Sequence, residues 1–252
     1  MLGWLQKLFV PPRVVPDALW QRTLAQYPFL AGQSIADQVR LRFLTAQFLA
    51  QKQFIGAHGL RVTDEMAVSI AAQACLPVLH LGLKLYDDFK GIVVHSGAML
   101  ARRNVVDAAG VNHFYNEEIT GEAMQGGPVT LSWQDVQESS EHHARGYNVV
   151  IHEFVHKLDM RDGTANGCPP LPTRKVQAEW RTTMQAAYET FQHQVLMAER
   201  FGAEPPWLDG YGATSPAEFF AVTSEAYFVN PSRFAEGFAG LKTLFDAFYS
   251  PE

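Results

Sequence analysis

Two histidines four residues apart, His152 and His156, restrict most strongly how this chain can fold. A helix turns by about 100° per residue, so on a helix these imidazoles lie on one face, one turn apart. In that arrangement both can reach a single ion at the roughly 2.0–2.1 Å of zinc–imidazole bonds. Glu153 lies about 100° round from His152, beside such an ion, where it can take a proton from a zinc-bound water. The spacing therefore predicts a metal-binding helix with a cleft over its histidine face.

The residues around this motif indicate a helix that is buried along one side. Five apolar side chains occupy an arc opposite the two histidines: Val150, Ile151, Phe154, Val155 and Leu158. We expect this stripe to pack inside the protein while the histidines face the cleft. The chain has 9 histidines among 252 residues, so the motif is expected about 0.02 times by chance in such a chain. A metal-binding helix is therefore favoured over a helix with ordinary surface histidines.

A catalytic zinc site usually has three protein ligands and one open position, so a third ligand is sought downstream. Asp159 shares the helix face of His156 but points along the axis, and we expect it to orient His156 or to cap a neighbouring segment. Glu218 suits a metal and a capping box with Ser215 equally well. Glu225, on the same helix face, is the alternative ligand or a carboxylate that supports one. Three further glutamates lie on a charged helix and are expected to be solvated: Glu179, Glu189 and Glu199.

Composition excludes several other classes of protein. The formal net charge is −6 and the basic residues are dispersed, which argues against direct nucleic-acid binding. The two cysteines, Cys75 and Cys168, are far apart and form no C-x-x-C pair, so neither a thiolate metal site nor a disulfide framework is expected. No apolar run is long enough to span a membrane. Residues 1–13 read as a mature N-terminus, and the cytoplasm is the expected compartment.

Hydrophobic periodicity and turn residues predict strands and helices in the first half of the chain and helices in the second. This pattern indicates the α+β class. The strand at 128–133 suits an edge that binds an extended peptide and an internal position in the sheet equally well. The predicted strands lie at 91–96 and 128–133, and the predicted helices at 34–53, 65–76, 147–160, 174–200, 215–229 and 238–249.

Two segments of the chain, IHEFVHKLDMRDG and YGATSPAEFFAVTSEAYF, resemble the Mlc titration factor A family of bacterial zinc peptidases. The segments QACLPVLHLGL at 73–83 and GPVTLSW at 127–133 are also similar to that family. The resemblance runs from about residue 20 to 250 and implies a zincin-like (gluzincin) catalytic domain with a small sheet and a mainly helical C-terminal half. We therefore expect a single peptidase unit over 1–252, with a helical N-terminal part to about residue 90 and a catalytic core over 91–252.

The same resemblance implies a role for particular residues. The metal ligands of the family fall on His152, His156 and Glu218, with Zn²⁺ as the ion, and its catalytic glutamate falls on Glu153. Tyr211 matches a tyrosine that the family keeps near the metal, although the position also suits an aromatic packed on the core. The implied activity is peptide hydrolysis, aminopeptidase-like on small substrates. A second hypothesis is a regulatory protein that sequesters an Mlc-like transcriptional repressor, with catalysis secondary.

Overall fold

The computed structural model describes residues 14–106, 112–119, 121–140 and 143–251; over 99–119 and at residue 143 it describes the backbone alone. The N-terminus over 1–13 lies outside the described residues. Helices form most of the described chain: α1 Asp17–Gln26, α2 Pro28–Ala31, α3 Ile35–Gln51, α4 Asp64–Cys75, α5 Trp133–Glu138, α6 Val149–Asp159, α7 Arg174–Phe201, α8 Pro216–Val229, α9 Pro231–Gly237 and α10 Ala239–Tyr249. The strands are β1 Gln53–Gly56, β2 Gly91–His95, β3 Met99–Val106, β4 Asn112–Ile119, β5 Gly121–Ala123 and β6 Val129–Ser132. The α+β class is confirmed.

A small mixed sheet has the strand order β1-β2-β6-β5. Strands β1, β2 and β6 are parallel, with Ile92 opposite Val129, and β5 is antiparallel to β6. Strand β6 therefore lies inside the sheet. Its interpretation as an edge strand is wrong, because β2 pairs with one side of it and β5 with the other. Among the strands that the structure describes, β5 is the last one on this side of the sheet. Strands β3 and β4 pair with each other as an antiparallel hairpin.

Local capping explains where the principal helices begin. Thr63 caps α4, Asn148 caps α6, and Thr173 caps α7, each by accepting a hydrogen bond from a first-turn amide. Helix α7 ends at Gly202, whose φ of 69° is readily adopted by glycine. Strand β1 was not predicted, because it has only four residues and follows α3 after a single residue.

Helix α6 lies at the centre of the molecule. A single buried stripe was predicted, yet every residue of α6 except His152 is buried. The additional burial arises because α8 packs on the histidine side and β5 packs beside Glu153. On the apolar side, the ring of Phe154 packs against the rings of Phe48, Tyr86 and Phe89. Among the described residues, the helices are too short or too polar to cross a membrane.

Candidate metal and catalytic site

Helices α6 and α8 bring three potential metal ligands together. The Nε2 atoms of His152 and His156 lie 3.1 Å apart. Glu218 Oε2 lies 3.0 Å from Nε2 of His152 and 3.2 Å from Nε2 of His156. These residues form a cluster able to hold a metal ion. The three atoms form a nearly equilateral triangle, and Glu218 lies more than sixty positions after the two histidines in the chain.

The dimensions of this triangle fit a zinc ion. Ligand atoms arranged tetrahedrally at roughly 2.0–2.1 Å from zinc lie about 3.3 Å from one another. Two imidazole nitrogens and one carboxylate oxygen form a donor set typical of catalytic zinc sites. The residues present therefore fit the metal that the sequence predicts.

At the start of α8, Glu218 takes part in the predicted N-cap and also lies within the cluster that could hold a metal ion. Its backbone N–H donates to the Oγ of Ser215 at 3.2 Å, which is the N-cap bond of α8. Its carboxylate faces the two histidines. Burial tends to raise the pKa of Glu218, but hydrogen bonds from His152 and His156 outweigh burial and hold that pKa well below its usual value. The side chain is thus kept anionic, as a metal ligand must be.

Glu225, two turns further along α8, contacts His152 from the opposite side of its ring. Its Oε1 lies 2.7 Å from Nδ1 of His152, and its other oxygen accepts a hydrogen bond from the backbone N–H of Asn148. A carboxylate on the remote nitrogen of a histidine ligand fixes its tautomer and orientation. Glu225 therefore occupies the position of a supporting carboxylate, not that of a ligand.

The remaining acidic candidates lie away from the triangle. The carboxylate of Asp159 accepts hydrogen bonds from the backbone N–H groups of Asn166, Gly167 and Cys168 at 2.7–3.0 Å. Asp159 thus caps the loop that follows α6, one of its two predicted roles. The other three glutamates, all on α7, are exposed as expected: Glu179, Glu189 and Glu199.

The pKa of His152 on α6 depends on the carboxylates of Glu218 and Glu225 on α8. Burial lowers the pKa of His152, but the carboxylates of Glu225 and Glu218 outweigh burial and raise that pKa well above its usual value. Burial also raises the pKa of Glu225, and the contact with His152 opposes that rise. Without a metal the fold therefore favours a proton on His152, and a bound cation would take its place.

Glu153 lies beside the triangle and not within it. Only 5% of its surface is exposed, and its carboxyl group packs against the backbone of Gly121 in β5. Burial raises the pKa of Glu153, whereas His152 and His156 act to lower it. A buried carboxylate with a raised pKa, next to a metal site, has the properties of a general base.

Tyr211 lies on the helical turn Gly210–Ala213 that precedes α8. Its backbone N–H donates to Oδ1 of Asp209 at 2.9 Å. Its ring centroid is 6.1 Å from that of His152, and 47% of the residue is exposed. The structure thus places this phenol at the site and not in the core.

Comparison with known proteins identifies the family. The family model described as "Glucose-regulated metallo-peptidase M90" matches residues 3–250. This chain belongs to the M90 metallopeptidase family. The chain is also 37% identical to Mlc titration factor A of Serratia proteamaculans, over 100% of this chain and 94% of that protein. The M90 membership and these curated relatives confirm the resemblance found in the sequence.

Two further relatives are similar over most of both chains. Mlc titration factor A of Klebsiella pneumoniae (strain 342) is 38% identical, over 92% of this chain and 86% of that protein. The protein of the same name from Escherichia fergusonii is 36% identical, over 99% of this chain and 91% of that protein. The similarity therefore includes both helices that supply the candidate ligands.

Two site residues were not found by sequence reasoning. Gly121 lies against Glu153, and Lys157 donates to backbone carbonyls in the turn between β5 and β6. The only signal in the sequence was a lysine on a helix otherwise predicted to be apolar on that side. Both contacts involve backbone atoms, which residue types do not identify.

Proposed function

We propose that this M90 metallopeptidase is a zinc-dependent peptidase of the gluzincin type on a zincin-like fold. The observation that supports this most directly is the triangle of Nε2, Nε2 and Oε2 atoms, 3.0–3.2 Å apart, contributed by His152, His156 and Glu218. Glu153 lies next to the triangle without joining it. Three ligands and an adjacent carboxylate constitute the minimal machinery for metal-assisted hydrolysis.

The residues of the chain divide the work as follows. A zinc ion bound by the three ligands would act as a Lewis acid and acidify a water molecule near neutral pH. Glu153 accepts the proton of the attacking water and delivers it to the leaving amine. The phenol of Tyr211 donates a hydrogen bond to the oxyanion that develops at the peptide carbonyl. Glu225 keeps His152 oriented throughout by holding its Nδ1 atom.

Strand β5, not β6, is the proposed binding edge for the peptide. It is the last strand in the sheet order and contacts α6 at Glu153. An extended peptide can add to such an edge through main-chain hydrogen bonds, with its reacting carbonyl held next to the general base. The family resemblance favours small, aminopeptidase-type substrates for this edge.

The decisive test replaces Glu153 by glutamine. The amide has nearly the same shape but cannot accept the proton, so we expect turnover of peptide substrates to fall about 10²–10⁴-fold. Zinc content, measured by elemental analysis, stays unchanged because Glu153 is not a ligand. Glu189→Gln on the exposed face of α7 is the matched control and keeps full activity. Near-normal turnover by Glu153→Gln would contradict the proposed mechanism.

A second candidate function is supported by the names of the M90 relatives, which refer to titration of Mlc. We propose as the alternative that this chain binds an Mlc-like repressor protein, with hydrolysis secondary. The same variant separates the two functions. If binding of a repressor is the main role, Glu153→Gln keeps the effect of the protein on that repressor. If hydrolysis is the main role, this effect is lost together with turnover.

A further inference from the structure

Lys157 is a buried lysine next to a metal-ligand position, and hydrolysis as proposed above does not use it. The side chain is fully buried, and its Nζ donates to the carbonyls of Met124 at 2.8 Å and Gly127 at 3.2 Å. Asp88 lies 3.5 Å from the ammonium and balances its charge. The ring of Phe89 lies 4.5 Å from Nζ. Four partners from two distant segments are thus arranged around this one ammonium group.

The two carbonyls belong to the turn that joins β5 to β6. Within this turn the N–H of Gly127 donates to the carbonyl of Met124, and the N–H of Met124 donates to the carbonyl of Pro128. Lys157 therefore attaches the β5–β6 hairpin to helix α6. The attachment is made by an ammonium that has exchanged water for backbone carbonyls. Its loss removes a donor from each carbonyl, although the carbonyl of Met124 keeps its bond from the N–H of Gly127.

A second contact between α6 and this hairpin is made by Glu153, one turn before Lys157. A Cβ atom built on Gly121 would lie 2.5 Å from Oε1 and 2.6 Å from Cγ of Glu153. The φ angle of Gly121 lies outside the left-handed region, so an alanine could adopt the backbone there. The absence of a side chain at residue 121 therefore leaves space for the Glu153 carboxyl group. The backbone conformation at this position does not itself require glycine.

We propose that Lys157 is a positioning residue for Glu153: by fixing the β5–β6 turn to α6, it keeps Gly121 at the distance that seats the Glu153 carboxyl group. This inference rests on the proposed role of Glu153 as general base. Since a displacement of about 1 Å can cost about 10²-fold in rate, a tether four residues from the base can control turnover without touching the substrate.

Lys52 provides a matched control for this proposal. It is also buried, it donates to the carbonyls of Tyr86 and Phe89, and its Nζ lies 3.9 Å from the ring of Phe89. The two lysines thus share one aromatic ring and the same type of bonding. They differ in that only Lys157 holds the hairpin that contacts Glu153.

The experiment compares Lys157→Met with Lys52→Met in the full-length zinc-loaded protein. We expect both to lower Tm and both to keep their zinc. Lys157→Met also lowers kcat about 10- to 100-fold with KM changed by less than about threefold, whereas Lys52→Met keeps the kcat of the parent. Equal kcat values for the two variants at equal zinc content would overturn the proposal.

A second set of variants tests the Gly121 contact independently of folding effects at Lys157. Gly121→Ala lowers kcat at unchanged zinc content, and Gly240→Ala in α10, where a Cβ meets nothing within 4 Å, does not. In a Glu153→Asp background, whose shorter side chain frees the space, Gly121→Ala lowers kcat much less than it does in the parent. A cost independent of residue 153 overturns the proposal. Full activity of Glu153→Gln would instead overturn the proposed function itself.

Discussion

Helix α6 is supported on two flanks that are built differently. On the α8 flank, side chains meet side chains: the imidazoles of His152 and His156 contact the carboxylates of Glu218 and Glu225. On the β5 flank, side chains meet backbone, as Lys157 does at two carbonyl groups. The first flank assembles the candidate metal site, and the second contacts the residue that is proposed to transfer the proton. Damage to the two flanks should therefore have separable consequences.

The largest expected effect comes from removing ligands on the α8 flank. The parent protein should hold about one zinc ion per chain. We expect His152→Ala and Glu218→Ala each to lose this zinc on dialysis and to show no detectable turnover. The reason is that two protein ligands remain where a catalytic site needs three. Elemental analysis after dialysis is the measurement. Zinc lost with His152→Ala but retained by Glu218→Ala would show that the third ligand is elsewhere.

Tyr211 extends the comparison, because its ring lies near His152 without belonging to either flank. We expect Tyr211→Phe to lower kcat about 10²-fold, the typical cost of one lost oxyanion donor. Zinc content and Tm stay unchanged because the residue is 47% exposed and its ring is retained. Steady-state kinetics with a chromogenic amino-acid amide makes the measurement. Unchanged kcat would leave Tyr211 as a packing partner of His152.

The same contrast explains what could be predicted from the sequence. Helical periodicity and caps gave α3, α4, α6, α7, α8 and α10 to within a few residues, and residue types alone pointed to the histidine pair. The choice of Glu218 over Glu225 and Asp159 required the family resemblance, because the sequence does not reveal which helix face meets α6.

The β5 flank could not be predicted for a physical reason. Lys157 binds carbonyl groups about thirty residues earlier in the chain, and every residue type has a carbonyl group. Gly121 matters through the side chain it lacks. Strand β6 was placed at either an edge or the interior, because its alternating pattern does not show that β5 would pair with its outer side. Backbone contacts become visible only when the fold is known.

Glu225 tests whether the α8 flank depends on more than its ligands. We expect Glu225→Gln to weaken zinc binding about 10- to 100-fold, the usual cost of losing the carboxylate behind a histidine ligand. The glutamine still offers an oxygen to the N–H of Asn148, so the fold should persist. Competition with a chromophoric chelator measures the affinity. An affinity equal to that of the parent protein would mean that His152 is oriented by packing alone.

The smallest expected effect is on stability, and it follows from the raised pKa of His152. A histidine whose pKa is raised by folding contributes stability that is complete below its unfolded value of about 6.5 and is lost as pH rises through the folded value. The Tm of chelator-treated protein should therefore fall by at least about 2 °C between pH 6.5 and pH 8. Zinc binding requires the neutral imidazole, so zinc-loaded protein gains stability over the same interval.

Calorimetry of the chelator-treated and zinc-loaded proteins between pH 6.5 and pH 8 measures how far their Tm values diverge. The variant Glu225→Gln is the internal control. Burial opposes a proton on His152, and the Glu225 carboxylate is the strongest of the groups that favour one. Loss of that carboxylate should therefore flatten the pH dependence of the chelator-treated protein. Parallel curves for the parent and the variant would show that the α8 flank is not held by this charge pair. A flattened curve would show that the contacts that orient His152 for zinc also stabilise the fold when zinc is removed.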